Sequence, residues 1–513
     1  MEYPLLIYLK GGIREDLCVF APKLIWGSSL ELRVKRMLRE RLKSLLSGVD
    51  KILLPSIFVS IIIISACGRV KVSGNSIPFI SYRATMKNKG LDLVNVTVSV
   101  HGAKREDYAF QAAGSGGCLC PDPLNMTAAA EDGEKLRIEA NKGKWTVKNG
   151  NRDFSLSYDV VTMKEDRFSS RIRSKITHFD ESRFRLLGRD IFLVPVSNVS
   201  EGIIVDLNFF PEAMVRSVYK SLGRRVIVPE ADDMPISFYA GGDYRYMTVS
   251  AGGTEVLLAS TGKCAFEDER MLGLIRDIVS YEIGMFGSAP DSRYLFICDR
   301  NPVLGDEGFD YYGTHFGQNI LLMFDPRMDE SDLFDVEMSV ISHEFFHNWN
   351  GKALSPASDS FMWFTEGVTV YYSYKILIEL GIISERQYKR KFDSIIKRYE
   401  LNPYLRDIPI ASSGNNDMSD KDLVNLLYDG GFLSARAIDS YLIDITGGKT
   451  ELIDIIRNIY ENEKYGAPID EKRFVSEVKK VTGRDISSYL RRLVHTRAPD
   501  IIPGGRKETK RTG

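Results

Sequence analysis

Residues 341–349 read ISHEFFHNW and contain the pattern HExxH, which decides how the rest of the chain is interpreted. On a helix, positions i and i+4 lie on one face, so His343 and His347 can present two imidazoles to one zinc ion. Glu344 is then turned toward the water on that ion. Apolar residues at helical spacing precede the motif, as this interpretation requires. The alternative is that both histidines are satisfied core residues and that Glu344 caps a helix or pairs with a cation.

A second segment supplies the third ligand that a catalytic zinc site needs beside its open position for water. Eighteen residues, 348 to 365, separate His347 from Glu366, and residues 362–372 (MWFTEGVTVYY) again have a helical pattern. The sequence therefore predicts a site for one zinc ion, formed by His343, His347 and Glu366. In such a site Glu344 is the general base, and a tyrosine hydroxyl or a histidine stabilises the oxyanion.

The composition of the 513 residues excludes several other classes of protein. Lys and Arg number 68 against 69 Asp and Glu, which gives a net charge of −1, and 44% of the residues are hydrophobic. Without an excess of positive charge we expect no nucleic-acid partner. Six cysteines without a CxxC pair exclude a disulfide scaffold and a cysteine-based structural zinc site.

A hydrophobic run near the N-terminus has the features of an export signal. Residues 52–66 carry no charge and follow the basic stretch 33–51. Fifteen residues are too few for a transmembrane helix, which needs about 20, but they match the apolar region of a signal peptide. The run leads into Cys67 within ISACG, which resembles the lipobox of bacterial lipoproteins. We therefore expect residues 1–67 to direct export and a lipid on Cys67 to anchor the protein to the membrane of a bacterial cell envelope.

Alternatives for this region stay open. Translation from Met37 would give a 30-residue signal, residues 37–66, and would make residues 1–36 an artefact of the chosen start codon. The run is otherwise a buried core helix or an uncleaved signal anchor. Export would place four further cysteines in an oxidising environment, where they could pair in three ways: Cys118, Cys120, Cys264 and Cys298.

Patterning divides the rest of the chain into three parts. Alternating polar and apolar residues predict strands up to about residue 211, for example at 93–100, 154–161 and 202–209. Strands and a helix at 268–286 mix in the middle part. Helical periodicity dominates from residue 332 onward, at 335–350, 363–380, 385–399, 421–445, 451–461, 471–481 and 486–496. The predicted domains are an all-β domain at 80–215, an α+β domain at 216–383, an all-α domain at 384–503 and a flexible tail at 504–513.

Three motifs together make the chain resemble the glycyl aminopeptidase family of gluzincin metallopeptidases. They are HEFFHNWN at 343–350, WFTEG followed by two tyrosines at 363–372, and YDGG at 428–431 followed by Ile438 and Asp439. The resemblance implies a multidomain α+β fold. In that fold a thermolysin-like α+β zinc catalytic domain lies between an N-terminal all-β domain and a C-terminal all-α domain.

The resemblance also assigns roles to individual residues. It implies that His343, His347 and Glu366 are the zinc ligands and that Glu344 is the general base. Tyr428 matches the tyrosine whose hydroxyl stabilises the oxyanion; the alternative is a packing residue with a satisfied hydroxyl. The implied substrate is a peptide or a protein. Many members carry a PDZ domain after the helical domain, which we do not expect here.

One segment departs from the family pattern. The family's substrate strand before the zinc helix carries a GGLEH-like motif whose carboxylate binds the free amine of a peptide, whereas residues 312–316 here read YGTHF. Gly313, Thr314 and His315 are therefore the candidate substrate-binding residues. His315 takes the place of the glutamate, and an imidazole cannot balance a cationic amine; the alternative is that it is a satisfied surface histidine. Three acidic residues of the preceding loop could substitute: Asp306, Glu307 and Asp310.

These observations lead to one expected function and to alternatives. We expect an exported zinc peptidase of the aminopeptidase type, which acts on peptides with small N-terminal residues. The same zinc core would also serve an endopeptidase or an aminopeptidase-N-like specificity. A third hypothesis is a surface binding protein that keeps the zinc helix without catalysis, but such a protein has no need for Glu344.

Overall fold

The structure is a computed structural model that describes residues 79–501, except for these positions: 89, 91, 114–120, 163–175, 197–201, 211–213, 263–266, 300–310, 325–337, 417–419, 464–467 and 500. The predicted export region 1–67 with Cys67 and the predicted tail 504–513 lie outside the described residues. The cysteines at positions 118, 120 and 264 and the acidic residues at positions 306, 307 and 310 also lie outside them. The described residues belong to one compact unit, Ile77–Gly513.

The described part of the chain is a mixed α+β structure, with strands first and helices last. The strands are β1 (Phe79–Met86), β2 (Leu93–His101), β3 (Asp107–Gln111), β4 (Leu124–Ala130), β5 (Arg137–Asn141), β6 (Lys144–Lys148), β7 (Phe154–Val161), β8 (His178–Phe179), β9 (Arg183–Leu187), β10 (Val194–Pro195), β11 (Ile203–Asn208), β12 (Val215–Arg216), β13 (Lys220–Leu222), β14 (Arg225–Val228), β15 (Phe238–Gly242), β16 (Arg245–Ala251), β17 (Thr254–Thr261), β18 (Arg293–Asp299), β19 (Tyr311–Phe316) and β20 (Asn319–Phe324). The helices are α1 (Asp268–Phe286), α2 (Met338–Phe346), α3 (Met362–Glu379), α4 (Glu385–Glu400), α5 (Ile410–Ser413), α6 (Lys421–Thr446), α7 (Leu452–Glu463), α8 (Glu471–Thr482) and α9 (Ser487–Val494).

The N-terminal part folds into three sheets. The largest has the strand order β13-β14-β11-β1-β2-β7-β4, in which β1 and β11 are parallel and the other neighbours are antiparallel. The other two sheets have the orders β10-β3-β6-β5 and β12-β15-β9-β8. Strand β2 shows how the sequence specifies them, because LVNVTVSVH places a buried valine at every second position between half-buried residues.

Strands of this β-rich part continue past the boundary predicted at residue 215. β13 and β14 complete the seven-stranded sheet, and β15 pairs with β9. The predicted division between 80–215 and 216–383 therefore cuts through two sheets. Pairing between strands that are distant in sequence sets this boundary, and the local pattern does not report such pairing.

A five-stranded central sheet carries the site. Its order is β16-β17-β18-β20-β19, with β17, β18 and β20 parallel and β19 antiparallel at one edge. Both faces of the sheet are buried, because alternate residues belong to two different cores. Leu257, Leu295 and Leu321 pack toward the N-terminal β-rich part, whereas Leu258 and Phe296 pack toward the helices. Cys298 of β18 is buried in the helical core.

Helices α1 and α6 show how far the local sequence specifies the helix ends. Helix α1 has the bounds that the sequence pattern predicts. Helix α6 starts after Asp420, whose side chain accepts hydrogen bonds from the backbone N–H groups of Asp422 and Leu423. It ends at Thr446, and the next residue, Gly447, takes the left-handed conformation with φ 63°. Within the described ranges, no helix is both long enough and apolar enough to cross a membrane.

Candidate active site and metal centre

Helix α2 presents the HExxH motif from a buried position. Ile341 and Phe345 are buried in the helical core and fix the rotation of the helix, so that His343 and Glu344 lie on its more open side. The helix ends at Phe346, earlier than the predicted residue 350. The backbone changes there to the i to i+3 hydrogen bonds of a 3₁₀ turn, because the backbone N–H of residue 348 donates to the carbonyl of Phe345 at 3.0 Å. The backbone N–H of His347 still donates to the carbonyl of His343 at 3.3 Å, which preserves the i, i+4 geometry.

Three donor atoms, from α2, from the residue that follows it and from α3, converge on one point. His343 Nε2 lies 3.0 Å from His347 Nε2, and Glu366 Oε2 of α3 lies 3.3 Å from the former and 3.4 Å from the latter. Zinc bonds of about 2.0–2.1 Å in a tetrahedral site place neighbouring ligand atoms about 3.3 Å apart. The buried Glu366 Oε2 has no hydrogen-bond partner. The separations and this unsatisfied acceptor fit a zinc ion, and the structure brings the three predicted ligands together.

The charges of these groups suit a cation as well. Burial alone would raise the pKa of Glu366, but His347 and His343 lower it well below its usual range, so the carboxyl group is ionised. Burial alone would lower the pKa of His347, but the neighbouring Glu366 raises it to about 9 in the metal-free protein. A zinc ion therefore replaces a proton when it binds this site.

Asn350 orients the second histidine and connects it to the helix of the third ligand. The Nδ1 atom of His347 lies 2.9 Å from the Asn350 carbonyl oxygen, which leaves Nε2 to face the other donors. The Asn350 side-chain amide donates to the carbonyl of Thr365 at 3.0 Å and to the hydroxyl of Thr369 at 3.1 Å. Sequence reasoning assigned no role to Asn350, since these contacts join the segment after α2 to α3.

Strand β19 runs beside α2 at Glu344. A Cβ atom added to Gly313 would collide with Val340 and lie 3.1 Å from Glu344 Oε1, so only glycine permits this approach. Burial raises the pKa of Glu344, although His343 and His347 oppose the shift. The alternation of a strand assigns Thr314 to the opposite face of the sheet. Gly313 thus belongs to the site, whereas Thr314 is turned away from it.

His315 lies beside the metal ligands. Its ring is stacked on the ring of His347, with centroids 6.0 Å apart and planes at 20°. Its Nε2 atom is buried and has no hydrogen-bond partner in the structure. Burial lowers the pKa of His315 to about 3, and the charge on His347 adds to this shift. The imidazole is thus uncharged, and it lies beside His347 with a buried nitrogen that is not satisfied.

Tyr428 reaches the site from α6. Its ring is stacked on that of His343, with centroids 6.0 Å apart. Burial raises the pKa of Tyr428 well above its usual value, and Glu366 adds to the shift, so the hydroxyl keeps its proton. The structure therefore places all the predicted catalytic residues, Glu344 and Tyr428, around the three donor atoms.

A glycine contact between α3 and α6 sets the position of Tyr428. A Cβ atom on Gly367 would overlap the backbone of Gly431, and one on Gly431 would lie 2.6 Å from the carbonyl oxygen of Trp363. The two helices therefore touch backbone to backbone, one residue after Glu366 and three after Tyr428. Further along, Tyr371 donates a hydrogen bond to Asp439 at 2.5 Å across the same pair of helices.

Glu282 is buried behind α2 and was not anticipated from the sequence. Its side chain is fully buried in α1, where it accepts a hydrogen bond from the Ser342 hydroxyl at 2.7 Å. Its other carboxyl oxygen, Oε2, has no partner. Burial raises the pKa of Glu282 well above the ordinary value. Folding therefore favours the protonated form of this carboxyl group.

Replacing Glu282 with Gln should make the protein more stable at high pH. A group whose pKa is raised by folding contributes its stability below the unfolded value, about pH 4.3, and loses that contribution as the pH rises through the folded value. The melting temperatures of the variant and the parent should coincide near pH 4.3 and separate in favour of Glu282→Gln toward pH 8. Thermal unfolding in excess chelator removes the pH dependence of zinc binding. The exposed replacement Glu461→Gln is the control, and an equal pH dependence in both variants contradicts the prediction.

Comparison with known proteins identifies the segment that holds the ligands. Residues 336–429 match the family model described as M61 glycyl aminopeptidase. The match covers less than a fifth of the chain, and this segment is similar to the zinc-binding part of that family. It includes His343, His347, Glu366, Glu344 and Tyr428, and it makes the protein a zinc metallopeptidase. The matched range covers the zinc motifs, helices α2 to α5 and the start of α6, and it confirms the resemblance noted in the sequence.

Solved structures share the fold beyond the matched segment. An aminopeptidase N family protein from Idiomarina loihiensis has a TM-score of 0.69 at 17% identity, over 82% of this chain and 76% of that chain. An M1 zinc metallopeptidase mutant from Deinococcus radiodurans, bound to a Tyr-Ser-Ala substrate, has a TM-score of 0.51 at 14% identity, over 83% of this chain and 96% of that chain. Among curated proteins no match is found. At these identities the likeness shows an aminopeptidase-like fold, with a β-rich N-terminal part and a helical C-terminal part.

Proposed function

We propose that this protein hydrolyses peptide bonds as a zinc aminopeptidase of the glycyl type, with one zinc ion held by His343, His347 and Glu366. The observation that carries the proposal is the convergence of their three donor atoms at separations of 3.0, 3.3 and 3.4 Å, directly beside Glu344. The match to the M61 family supports the peptidase chemistry and the glycyl aminopeptidase type.

The chain's own residues then divide the work of hydrolysis. Bound zinc supplies a water of lowered pKa and a Lewis acid for the scissile carbonyl. Glu344 accepts the proton of the attacking water and passes it to the leaving amine. Tyr428, which keeps its proton, donates a hydrogen bond to the oxyanion that forms on the former carbonyl oxygen. Asn350 holds His347 in the tautomer that directs Nε2 toward the metal.

The open edge of β19 is suited to hold the substrate. Among the described residues β19 is the last strand of the central sheet, so one side of its backbone has no strand partner there. An extended peptide can add to such an edge as a further strand. Gly313 brings this edge against Glu344, which places the bound peptide next to the general base.

A second candidate function, an endopeptidase on the same zinc core, is favoured by His315. The position that faces the metal ligands from β19 holds an imidazole, which is neutral or positive and never negative. Such a group does not bind the free ammonium of an N-terminus as a carboxylate does. The aminopeptidase proposal therefore requires another acidic group, and the endopeptidase proposal does not.

Paired fluorogenic peptides with an N-terminal glycine or alanine, free and acetylated, separate the two functions. For an aminopeptidase, acetylation removes a charge-assisted hydrogen bond of about 1.5–3 kcal/mol, so kcat/KM should fall by roughly 10- to 100-fold. Equal cleavage of both forms identifies an endopeptidase. Activity should disappear with a zinc chelator and return with added zinc. Failure to cleave either form, in zinc-loaded protein, refutes both.

We also propose that the protein is exported and anchored to a bacterial envelope membrane through a lipid on Cys67. The support is the uncharged run 52–66 and the ISACG sequence that follows a basic stretch. The mass of the N-terminal peptide recovered from membranes tests this proposal, because an unmodified, uncleaved N-terminus contradicts it.

A further inference from the structure

A surface groove lies on the helical part, on the far portion of α6. It has a volume of about 720 Å³, which is within the range of about 300–1,000 Å³ that is typical of ligand sites. Helix α6, helix α9 and the chain that follows α9 form its walls. Arg436 lies eight residues beyond Tyr428 on α6, or about 12 Å along the helix axis. The groove is therefore separate from the zinc site.

The groove has a fixed aromatic wall and an apolar floor. Tyr441 of α6 and Tyr489 of α9 are stacked, with ring centroids 4.3 Å apart and planes at 20°. The Tyr489 hydroxyl donates to the backbone carbonyl of Ala437 at 3.1 Å, which holds the pair in place. Leu493 and Ile501 are buried beneath. Rigid aromatic surface of this kind binds side chains at a low cost in conformational entropy.

The rim of the groove is positively charged. Arg492 and Arg497 line it together with one acidic residue, Asp444. Arg436 also lines it, but its guanidinium lies over the ring of Phe392 in α4, 4.7 Å from the centroid. Arg492 lies over the ring of Tyr489 at 5.8 Å. No carboxylate of the described residues lies within salt-bridge distance of Arg492 or Arg497. Because the whole chain has a net charge of −1, this positive charge is local.

The backbone at Ala498, directly after Arg497, is held in an unusual conformation. Ala498 has φ 46°, in the left-handed region that alanine rarely adopts. Its backbone N–H donates to the carbonyl of Leu405 at 2.9 Å, which fixes this turn against the loop between α4 and α5. A strained residue that the surrounding structure holds in place is a common feature of ligand-binding walls.

We propose that this groove binds an acidic stretch of polypeptide. Its carboxylates would pair with Arg492 and Arg497, and an apolar or aromatic side chain would lie on the tyrosine pair. The concave shape of the groove favours an extended polypeptide as the ligand over a flat anionic membrane. The chain's own residues 502–513 do not suit the groove, since they include four basic residues and one acidic residue: Arg506, Lys507, Lys510, Arg511 and Glu508. The groove thus provides a site for an acidic protein, beyond the proposed peptidase activity and independent of it.

Fluorescence anisotropy with a labelled, acetylated peptide of twelve alternating glutamate and leucine residues tests the proposal. The full chain with Glu344→Gln is used so that the probe is not cleaved. We expect saturable binding that weakens with salt, and a loss of about tenfold or more in affinity for the double variant Arg492→Glu, Arg497→Glu. Arg491→Glu is the matched control, because Arg491 is exposed on the same helix and does not line the groove.

Three results would overturn the proposal. They are equal binding of a matched glutamine-leucine peptide, equal weakening by Arg491→Glu, and a double variant that loses binding to phosphatidylserine vesicles but not to the peptide. Cleavage of the short fluorogenic peptides by the Glu344 protein should be unchanged in the double variant. Because the binding assay needs no turnover, a failure of the proposed function would leave its outcome unaffected.

Discussion

Replacing Glu344 with Gln will reduce kcat by about 10²- to 10⁴-fold and leave one zinc ion bound. The magnitude is that of a lost general base, and glutamine cannot accept the proton of the attacking water. Glu344 is not among the three converging donor atoms, so the metal site stays complete. Steady-state kinetics on the fluorogenic peptides together with zinc content by elemental analysis measure both parts of the prediction.

The same variant also has a clear contradicting outcome. Turnover close to that of the parent at full zinc content would show that Glu344 is not the base. Loss of zinc together with turnover would show instead that the substitution damages the metal site. The matched control is Glu461→Gln, an identical change on the exposed surface of α7, which should alter neither quantity.

Removing either partner of the Arg185–Asp299 ion pair will destabilise the protein by about 3–5 kcal/mol. Arg185 of β9 and Asp299 at the end of β18 form a salt bridge, with side-chain exposures of 2% and 0%. The pair joins the N-terminal β-rich part to the central sheet, and Arg185 Nε also donates to the carbonyl of Ile176 at 2.7 Å. Arg185→Met or Asp299→Asn leaves a buried charge without its counterion. Thermal or urea unfolding measures the loss.

A double-mutant cycle separates the pair from simple damage to the core. The double variant Arg185→Met, Asp299→Asn removes both charges, so it should lose much less stability than the sum of the single variants. The exposed pair Arg152 and Glu134 is the control, and breaking it should change little. Additive losses in the buried pair would show that the charges do not compensate each other.

The metal site could be predicted because its information is local. HExxH fixes two ligands on one helix through the helical repeat, and the spacing to Glu366 returns the third from the next helix. The helices were also predictable: α1 has its predicted bounds, and α6 differs by one residue at its end. Both helices have long apolar stripes, α6 is capped at both ends, and α1 stops before Gly287 in the left-handed conformation, so the local sequence indicates their extent.

The parts that could not be predicted depend on contacts between distant segments. The early end of α2 follows from hydrogen bonds around residues 345–349, and the misplaced boundary at 215 follows from the pairing of β15 with β9. Asn350, Glu282 and Arg185 are unremarkable as single residues in a sequence. Each acquires its role only when the fold places a carbonyl, a hydroxyl or a carboxylate opposite it.

The contact of Gly367 with Gly431 joins the helix of Glu366, the proposed metal ligand, to the helix of Tyr428, the proposed oxyanion donor. With no side chain between the helices, the spacing of Glu366 and Tyr428 is fixed by backbone contact. A side chain at either glycine would push the two helices apart and change this spacing. Substitutions that repack the nearby core should therefore be tolerated during evolution, whereas the two glycines have no acceptable replacement. Substrate specificity can therefore change during evolution while the spacing of Glu366 and Tyr428 stays constant.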